Sequence, residues 1–245
     1  VNKFENNFSK FCSINYSVSC ANGTDALYLA LKALNLPRNS EVIVPAMTWI
    51  STVLSVINCG LKPILVDVNK DDALISNNKI KEKISSKTKV ILPVHLYGSV
   101  VDIKSIKNLI KTKKIKIIED GAQAHGALDS NKFNLGKFSD MCCFSFYPGK
   151  NLGCYGDGGL IITNNKNYYL KLKKLRNLGQ ETKNIHNEIG VNSRLDTIQA
   201  KLLDIKLKNL KKLNLKRQRI ASFYNKNIKN KKIKKINYSR FAVYH

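Results

Sequence analysis

The hydrophobic pattern of the chain alternates between two periods. Short runs of apolar, β-branched residues predict strands, and segments with apolar residues every three or four positions predict helices. The predicted strands are 16–21, 41–46, 62–68, 89–96, 115–120, 141–147 and 159–164, and the predicted helices between them are 24–36, 49–59, 77–86 and 102–114. Nearly continuous apolar strands that alternate with helices are typical of a mostly parallel sheet sandwiched by helices. We therefore predict an α/β fold.

The pattern changes after residue 165. One helical segment is predicted to stop at Gly179, and the stretch from Asp196 to about Asn225 again has helical spacing. A basic linker and an apolar run, "SRFAVYH", follow. We predict a large domain over residues 1–195, and a linking helix with the start of a truncated α/β small domain over 196–245. The chain lacks an initial Met and stops directly after an apolar run, so we expect a piece of a longer protein.

The charge balance is strongly basic. The 245 residues include 42 Lys and Arg against 17 Asp and Glu, a net charge of +25. Such a charge usually indicates nucleic acid or an anionic membrane. Here the excess is mostly lysine spread along the chain, arginine is scarce, and no aromatic–basic alternation marks a channel for single strands. We therefore interpret it as a solvated surface and predict neither partner.

The six cysteines include no CxxC pair, and several lie in apolar segments. Buried free thiols in a reducing cytoplasm are favoured over disulfides or a zinc site, so no metal is predicted. The N-terminus has no apolar signal-peptide core, and no apolar run approaches the ~20 residues of a membrane span. These features together predict a cytoplasmic protein.

Candidate chemistry falls where strands end, because ligands of open α/β sheets bind at the carboxyl ends of strands. After the first strand, Gly23 forms a turn and Thr24 can cap the next helix, which leaves free amides suited to phosphate. An ordinary strand–turn–helix would give the same pattern. After the second strand comes the single tryptophan, Trp49, which could stack on a planar ligand or could belong to the core.

Two further strand ends carry polar groups. Asp120 ends a strongly apolar strand, where a carboxylate needs a cationic partner such as a protonated pyridine nitrogen, with Gln123 within reach of the same ligand. A structural aspartate paired with arginine is the competing interpretation. Ser145 and Lys150 flank a tight turn, and a desolvated lysine there is suited to imine formation. A solvated surface lysine is the alternative. Taken together, the four strand ends describe a site for pyridoxal 5′-phosphate (PLP).

Seven motifs then carry a resemblance to a known family. They are, in order, "NGTDAL", "EVIVPAMTW", "PVHLYG", "IIEDGAQAHGA", "FSFYPGKNLGCYGDGG", "LRNLG" and "GVNSRLDTIQA". The chain resembles, from about residue 10 to its end, the DegT/DnrJ/StrS family of sugar aminotransferases, whose large domain has the PLP-dependent transferase fold type I of aspartate aminotransferase. Such proteins have a further N-terminal arm and a C-terminal small domain.

The resemblance assigns roles to individual residues. It implies that Lys150 is the Schiff-base lysine, that Asp120 keeps the pyridine nitrogen protonated, that Trp49 stacks on the ring, and that Gln123 lies near the phenolic oxygen. The residues implied to bind the phosphate are Gly23, Thr24, Ser145 and, from the neighbouring subunit, Asn192. Because Asn192 would reach the site of the neighbouring subunit, the resemblance also implies a homodimer. The lysine also disfavours the family's dehydratase branch, which has histidine at that position.

The implied function is transfer of an amino group from L-glutamate to a keto group of a nucleotide-linked sugar. That reaction belongs to the biosynthesis of cell-surface polysaccharides or secondary-metabolite sugars. Three alternatives remain open at this stage: an aminotransferase for a cyclitol or another cyclic ketone, a non-catalytic regulatory protein with the PLP fold, and a nucleic-acid-binding protein. The position of Lys150 argues against the regulator, and only the net charge favours the nucleic-acid binder.

Overall fold

A computed structural model describes all residues from Val1 to His245. The helices are α1 (Asn2–Cys12), α2 (Gly23–Ala33), α3 (Ile50–Asn58), α4 (Asn77–Lys83), α5 (Ile103–Leu109), α6 (Lys166–Leu175), α7 (Thr197–Leu207) and α8 (Leu210–Asn227). The strands are β1 (Tyr16–Cys20), β2 (Glu41–Pro45), β3 (Lys62–Val66), β4 (Thr88–Ile91), β5 (Lys116–Asp120), β6 (Met141–Ser145), β7 (Gly159–Thr163), β8 (Gln180–Thr182) and β9 (Ile185–His186). None of the helices combines the length and apolar composition that a bilayer crossing demands.

Seven strands form one sheet in the order β1-β7-β6-β5-β4-β2-β3. All neighbours from β3 through β6 are parallel, whereas β7 runs antiparallel to both β6 and β1. Because β7 is antiparallel to both of its neighbours, β1 runs in the same direction as β6. The carboxyl ends of β1, β2, β4, β5 and β6 therefore meet along one edge of the sheet.

Both faces of the sheet are buried, as the continuous apolar strands predict. Met141 and Cys143 on β6 point into a core built with α2 to α6, while Cys142 and Phe144 point into a second core built with α1 and α7. Because successive side chains of a strand alternate between faces, one apolar run serves both cores. All six cysteines are free, and five of them are buried.

The predicted α/β fold with a mostly parallel sheet is confirmed, with local differences. Helix α1 was not predicted; its apolar residues Phe4, Phe8 and Cys12 are few but recur every four positions and close the second core. The strand predicted over 89–96 ends at Ile91, because Pro93 has no N–H for a ladder. The helix predicted from Asp196 is divided into α7 and α8 at Lys208 and Asn209.

Residues 196–245 pack against the part of the chain that precedes them. Ala200, Leu203 and Leu207 of α7 enter the second core, and so does Val243 near the end of the chain. Phe241 forms an isolated antiparallel bridge with Leu128. The division into a large domain and the start of a small domain stays a prediction.

Candidate active site

A cavity of about 520 Å³ opens at the carboxyl edge of the sheet. Seven of the eight residues predicted from the sequence line it, although they lie as many as 127 positions apart: Gly23, Thr24, Trp49, Asp120, Gln123, Ser145 and Lys150. The strand directions explain this, because each residue ends or follows a strand whose carboxyl end lies at this edge. Asn192 is exposed and lies outside the cavity.

Asp120, the last residue of β5, is a buried carboxylate held by neutral donors. The Thr52 hydroxyl donates to its Oδ2 at 2.9 Å and the Ala122 N–H to its Oδ1 at 3.0 Å. Burial raises the pKa of this carboxyl group, and the two hydrogen bonds and the positive charge of Lys150 oppose the shift. The ionised form is thus held in place but lacks a cationic contact. A cationic ring nitrogen in the cavity would supply one.

The neighbouring Glu119 shows what a structural acid on the same strand looks like. Its side chain accepts hydrogen bonds from His95 Nε2 at 2.7 Å and from the Gly136 N–H at 2.9 Å. His95 Nδ1 accepts the Val101 N–H at 3.0 Å, so the ring proton lies on Nε2. Glu119 has its partners within the protein and does not line the cavity. The two consecutive acids of "IIED" therefore have different environments.

Lys150 is the cavity's only lysine. Its backbone N–H donates to the Tyr147 carbonyl at 2.9 Å, which closes the turn that presents the side chain. Burial lowers the pKa of the Lys150 amine, and the nearby charge of Asp120 opposes this. A lowered pKa increases the fraction of neutral amine, which is the form that attacks a carbonyl carbon or accepts a proton.

Hydroxyl groups gather where α2 begins. Asn22 caps the helix by accepting the Asp25 N–H at 2.8 Å, and the Thr24 hydroxyl donates to the Ser51 hydroxyl at 2.8 Å. Ser145 lies against Gly23 so closely that a Cβ on the glycine would be 2.5 Å from Ser145 Cβ. This end of the cavity therefore combines a helix N-terminus with three hydroxyls and a close backbone approach. That combination suits a phosphate group.

Substituting alanine for Gly23 tests this close approach. We expect Gly23→Ala to destabilise the fold by about 1–3 kcal/mol and to weaken phosphate binding, because Ser145 must move away from the helix N-terminus. Urea unfolding and titration with inorganic phosphate measure the two effects. Gly149→Ala is the matched control, since its Cβ would meet only the Tyr147 ring at 3.6 Å. Equal stability and equal phosphate binding in both variants would contradict the expectation.

Gln123 has its amide orientation fixed by the backbone. Its Oε1 accepts the Tyr97 N–H at 2.6 Å, which leaves the NH₂ group as the free donor. Tyr97 adopts a left-handed φ of 55°, an uncommon conformation for a non-glycine residue, and the next residue, Gly98, follows with φ 84°. The uncommon conformation of Tyr97, followed by a glycine that adopts positive φ freely, thus aims this N–H at Gln123.

Trp49 lies at the cavity mouth as the N-cap residue of α3, with 74% of its surface exposed. The alternative that the single tryptophan belongs to the core is therefore wrong. Stacking of its ring on a ligand stays a prediction. Asn192 pairs through its backbone with Asn177 and is exposed.

The lining residues that were not predicted include Thr52, Ser51 and His245. Thr52 and Ser51 lie just after Trp49 in the first turn of α3, so helical spacing from Trp49 could have indicated them. His245 lines the cavity from the end of the chain, and its backbone N–H donates to the Tyr97 carbonyl at 3.1 Å. Burial and the charge of Lys150 lower the pKa of His245 to about 4. No local sequence signal links residue 245 to this cavity.

The cavity thus offers an anion end, a buried acid, a partly desolvated amine and an amide donor. A planar, cationic heterocycle that carries a phosphate and a carbonyl group matches this set of donors and acceptors. The likeness of the chain to known proteins supports the same interpretation.

The sequence pattern of the DegT/DnrJ/EryC1/StrS aminotransferase family matches residues 1–240. The chain is 45% identical over 230 residues to the dTDP-3-amino-3,6-dideoxy-alpha-D-galactopyranose transaminase of Aneurinibacillus thermoaerophilus, covering 94% of this chain and 63% of the relative. It is 39% identical over 221 residues to the dTDP-3-amino-3,4,6-trideoxy-alpha-D-glucose transaminase of Streptomyces venezuelae, covering 90% and 58%. The chain thus spans less than two thirds of the length of these relatives.

A solved structure shows the same likeness in three dimensions. The crystal structure of DesV from S. venezuelae in complex with a ketimine intermediate superposes with a TM-score of 0.95 at 36% sequence identity. The match covers 100% of this chain and 66% of that one.

Proposed function

The chain belongs to the DegT/DnrJ/EryC1/StrS aminotransferase family, and from this premise we propose that it forms the coenzyme-binding part of a PLP-dependent aminotransferase. The proposed reaction moves an amino group from L-glutamate to a keto group of a nucleotide-linked sugar. Relatives named as dTDP-sugar transaminases support this substrate class.

One observation carries the proposal: Lys150 and Asp120 line the same cavity, each perturbed by burial and each within electrostatic reach of the other. Titratable groups that burial perturbs and that share one cleft are typical of functional sites. The remaining lining residues fit PLP as well. The close approach of Gly23 to Ser145 brings the Ser145 hydroxyl beside the first turn of α2, and the Gln123 NH₂ is free to donate.

PLP, when bound, supplies an aldehyde that takes up the amino group and a protonated ring that withdraws electrons from the carbon losing its proton. The amine of Lys150 would hold the coenzyme in the cavity, and an arriving amino donor would set it free. Asp120 keeps the ring nitrogen protonated, because its carboxylate is fixed by Thr52 and Ala122 and lacks any other cation in contact. Hydroxyls of Thr24 and Ser145 bind the phosphate.

The released Lys150 amine then acts as general base and general acid. The amine would take the proton from the α-carbon of the donor and give it up again within the cavity, and it would act in the opposite order when the keto acceptor is bound. Its lowered pKa suits this work, since a neutral amine must be available near neutral pH. Trp49 covers one side of the cavity mouth.

A homodimer is part of the proposal. Asn192 is exposed and does not line the cavity of its own chain, which leaves it available to a neighbouring subunit. Apolar side chains beside the cavity mouth are also exposed, namely those of Met47, Trp49, Ile50, Leu54 and Ile57. A second copy of the chain would cover this surface. Sedimentation equilibrium of the natural full-length protein tests the proposal, and a purely monomeric mass would contradict it.

The experiment that tests the function is addition of PLP to the natural full-length protein, followed by borohydride reduction and peptide mapping. We expect a visible absorbance band that bleaches on addition of L-glutamate, and pyridoxyl mass on the peptide that contains Lys150. Absence of the band in a folded dimer would instead favour the non-catalytic regulator. A panel of dTDP- and UDP-linked keto sugars, with a cyclitol ketone beside them, then separates the acceptor classes.

A further inference from the structure

We propose that Asn214, on helix α8, is a positioning residue that fixes Lys150 relative to Gln123 through the buried side chain of Asn151. The inference rests on the proposed function, in which these two residues serve the aldehyde and the phenolic oxygen, adjacent substituents of one ring. Neither asparagine lines the cavity. Their contribution is therefore to geometry and not to ligand binding.

The Asn214 side chain joins two walls of the cavity. Its Nδ2 donates to the His125 carbonyl at 2.8 Å, and its Oδ1 accepts from Asn151 Nδ2 at 3.1 Å. His125 lies two residues after Gln123, and Asn151 directly follows Lys150. Only 6% of Asn214 and 8% of Asn151 are exposed, so water does not compete strongly for these bonds.

The same network reaches the end of the chain. Asn151 Nδ2 also donates to the Val243 carbonyl at 3.3 Å, and Asn151 Oδ1 lies 3.3 Å from His245 Nδ1. The backbone N–H groups of Val243 and His245 donate to the carbonyls of Gly98 and Tyr97. Since the Tyr97 N–H holds Gln123, the hydrogen bonds lead from the Lys150 turn back to Gln123 by a second route.

This connection is made of neutral groups and so fixes position without adding charge. The titratable side chains that interact with the Lys150 amine are Asp120, His125 and His245. Burial lowers the pKa of His125 to about 3 and that of His245 to about 4, so both rings are neutral at pH 7. The depressed pKa of Lys150 depends mainly on its burial, which requires the turn around residue 150 to stay docked.

The test compares Asn214→Ala with Gln218→Ala in the natural full-length protein. Gln218 lies one helical turn further along α8 and donates to the Ala242 carbonyl at 2.8 Å, but it contacts neither cavity wall. The first readout, made without coenzyme, is the pKa of Lys150 from the pH dependence of its reductive methylation, followed by mass spectrometry. The second is the rate at which PLP becomes trapped on Lys150 by borohydride.

We expect Asn214→Ala to raise the Lys150 pKa by about 0.5 unit or more and to slow trapping about tenfold, because the released turn becomes hydrated. Gln218→Ala should match the unaltered protein in both readouts. Asn151→Ala should have at least the effect of Asn214→Ala, because it removes the contact to Asn214 together with those to Val243 and His245. The double variant should match Asn151→Ala, because Asn214 acts on Lys150 through Asn151. If Asn214→Ala does not fold, the same two readouts on Asn151→Ala test the proposal.

An unchanged Lys150 pKa and unchanged trapping in folded Asn214→Ala or Asn151→Ala protein would overturn the proposal. Equal effects of Gln218→Ala and Asn214→Ala would also overturn it, because they would indicate general loosening of α8. If PLP is not trapped on Lys150 in the unaltered protein, the proposed function fails. The comparison of lysine pKa values still tests the Asn214 link in that case.

Discussion

Replacing Lys150 with alanine is expected to lower transamination by at least about a thousandfold, while PLP still binds without a covalent link. The expected loss is large because one amine both holds the coenzyme and transfers the proton, and a positioned base alone contributes about 10²–10⁴-fold. The cavity has no second lysine to replace it. Single-turnover kinetics with L-glutamate, together with mass spectrometry after borohydride treatment, measure the effect.

Lys206→Ala is the control for this substitution. Lys206 donates to the Gly153 carbonyl in the same loop, and its amine lies 4.5 Å from the ring centre of Tyr155, but it does not line the cavity. Its loss can loosen the loop and should leave a pyridoxyl group on Lys150. A Lys150→Ala enzyme that keeps more than a tenth of the wild-type rate would refute the role given to this lysine.

Substituting Asp120 with asparagine is expected to slow both half-reactions about a hundredfold or more and, at the same time, to stabilise the coenzyme-free protein at neutral pH. The kinetic loss follows because an amide does not hold the ring nitrogen protonated. Asparagine can keep both local hydrogen bonds: its Oδ1 accepts the Ala122 N–H, and its Nδ2 can donate to Thr52, whose hydroxyl can turn toward Thr48.

The gain in stability follows from the direction of the pKa shift. Burial raises the pKa of Asp120, so its contribution to stability is complete below the pKa of the unfolded chain and is lost as the pH rises through the folded value. Above that value the fold holds a buried charge that asparagine lacks. Melting curves of coenzyme-free protein should therefore favour Asp120→Asn at pH 7 and converge near pH ~3.5. Wild-type rates, or a lower melting temperature at pH 7, would contradict this account.

The sheet and most of the cavity could be predicted because the sequence signals are local. Each strand of the sheet is an apolar run, and the predicted residues of the cavity lie at the end of such a run, as Asp120 and Ser145 do, or within a few residues after it. Parallel strand direction then brings those residues to one edge without any need to know their contacts. The family resemblance agreed with this interpretation residue by residue.

The contributions from distant parts of the chain could not be predicted. His245 reaches the cavity only because its backbone pairs with Tyr97, 148 positions earlier, and the Asn151–Asn214 contact joins a loop to a helix 63 positions later. Single polar residues of this kind have no periodicity. The antiparallel direction of β7 could not be predicted either, because an apolar run does not show in which direction its strand runs in the sheet.

The position of β1 has a consequence for synthesis of the protein. This strand leads into the turn that we propose binds phosphate, yet its only partner in the sheet is β7, and positions 21–158 are translated between them. Strand β1 is synthesised first but can pair only after β7, the last strand of the sheet, has been made, and pairing over such a separation is slow. Meanwhile Val18 and the apolar face of α1 remain uncovered on the nascent chain, where a chaperone can bind them.

Ribosome-bound chains arrested before residue 159 should be cleaved by protease near residue 18, and chains extended past β7 should resist. The anion site is therefore completed late, although its glycine is among the first residues to leave the ribosome.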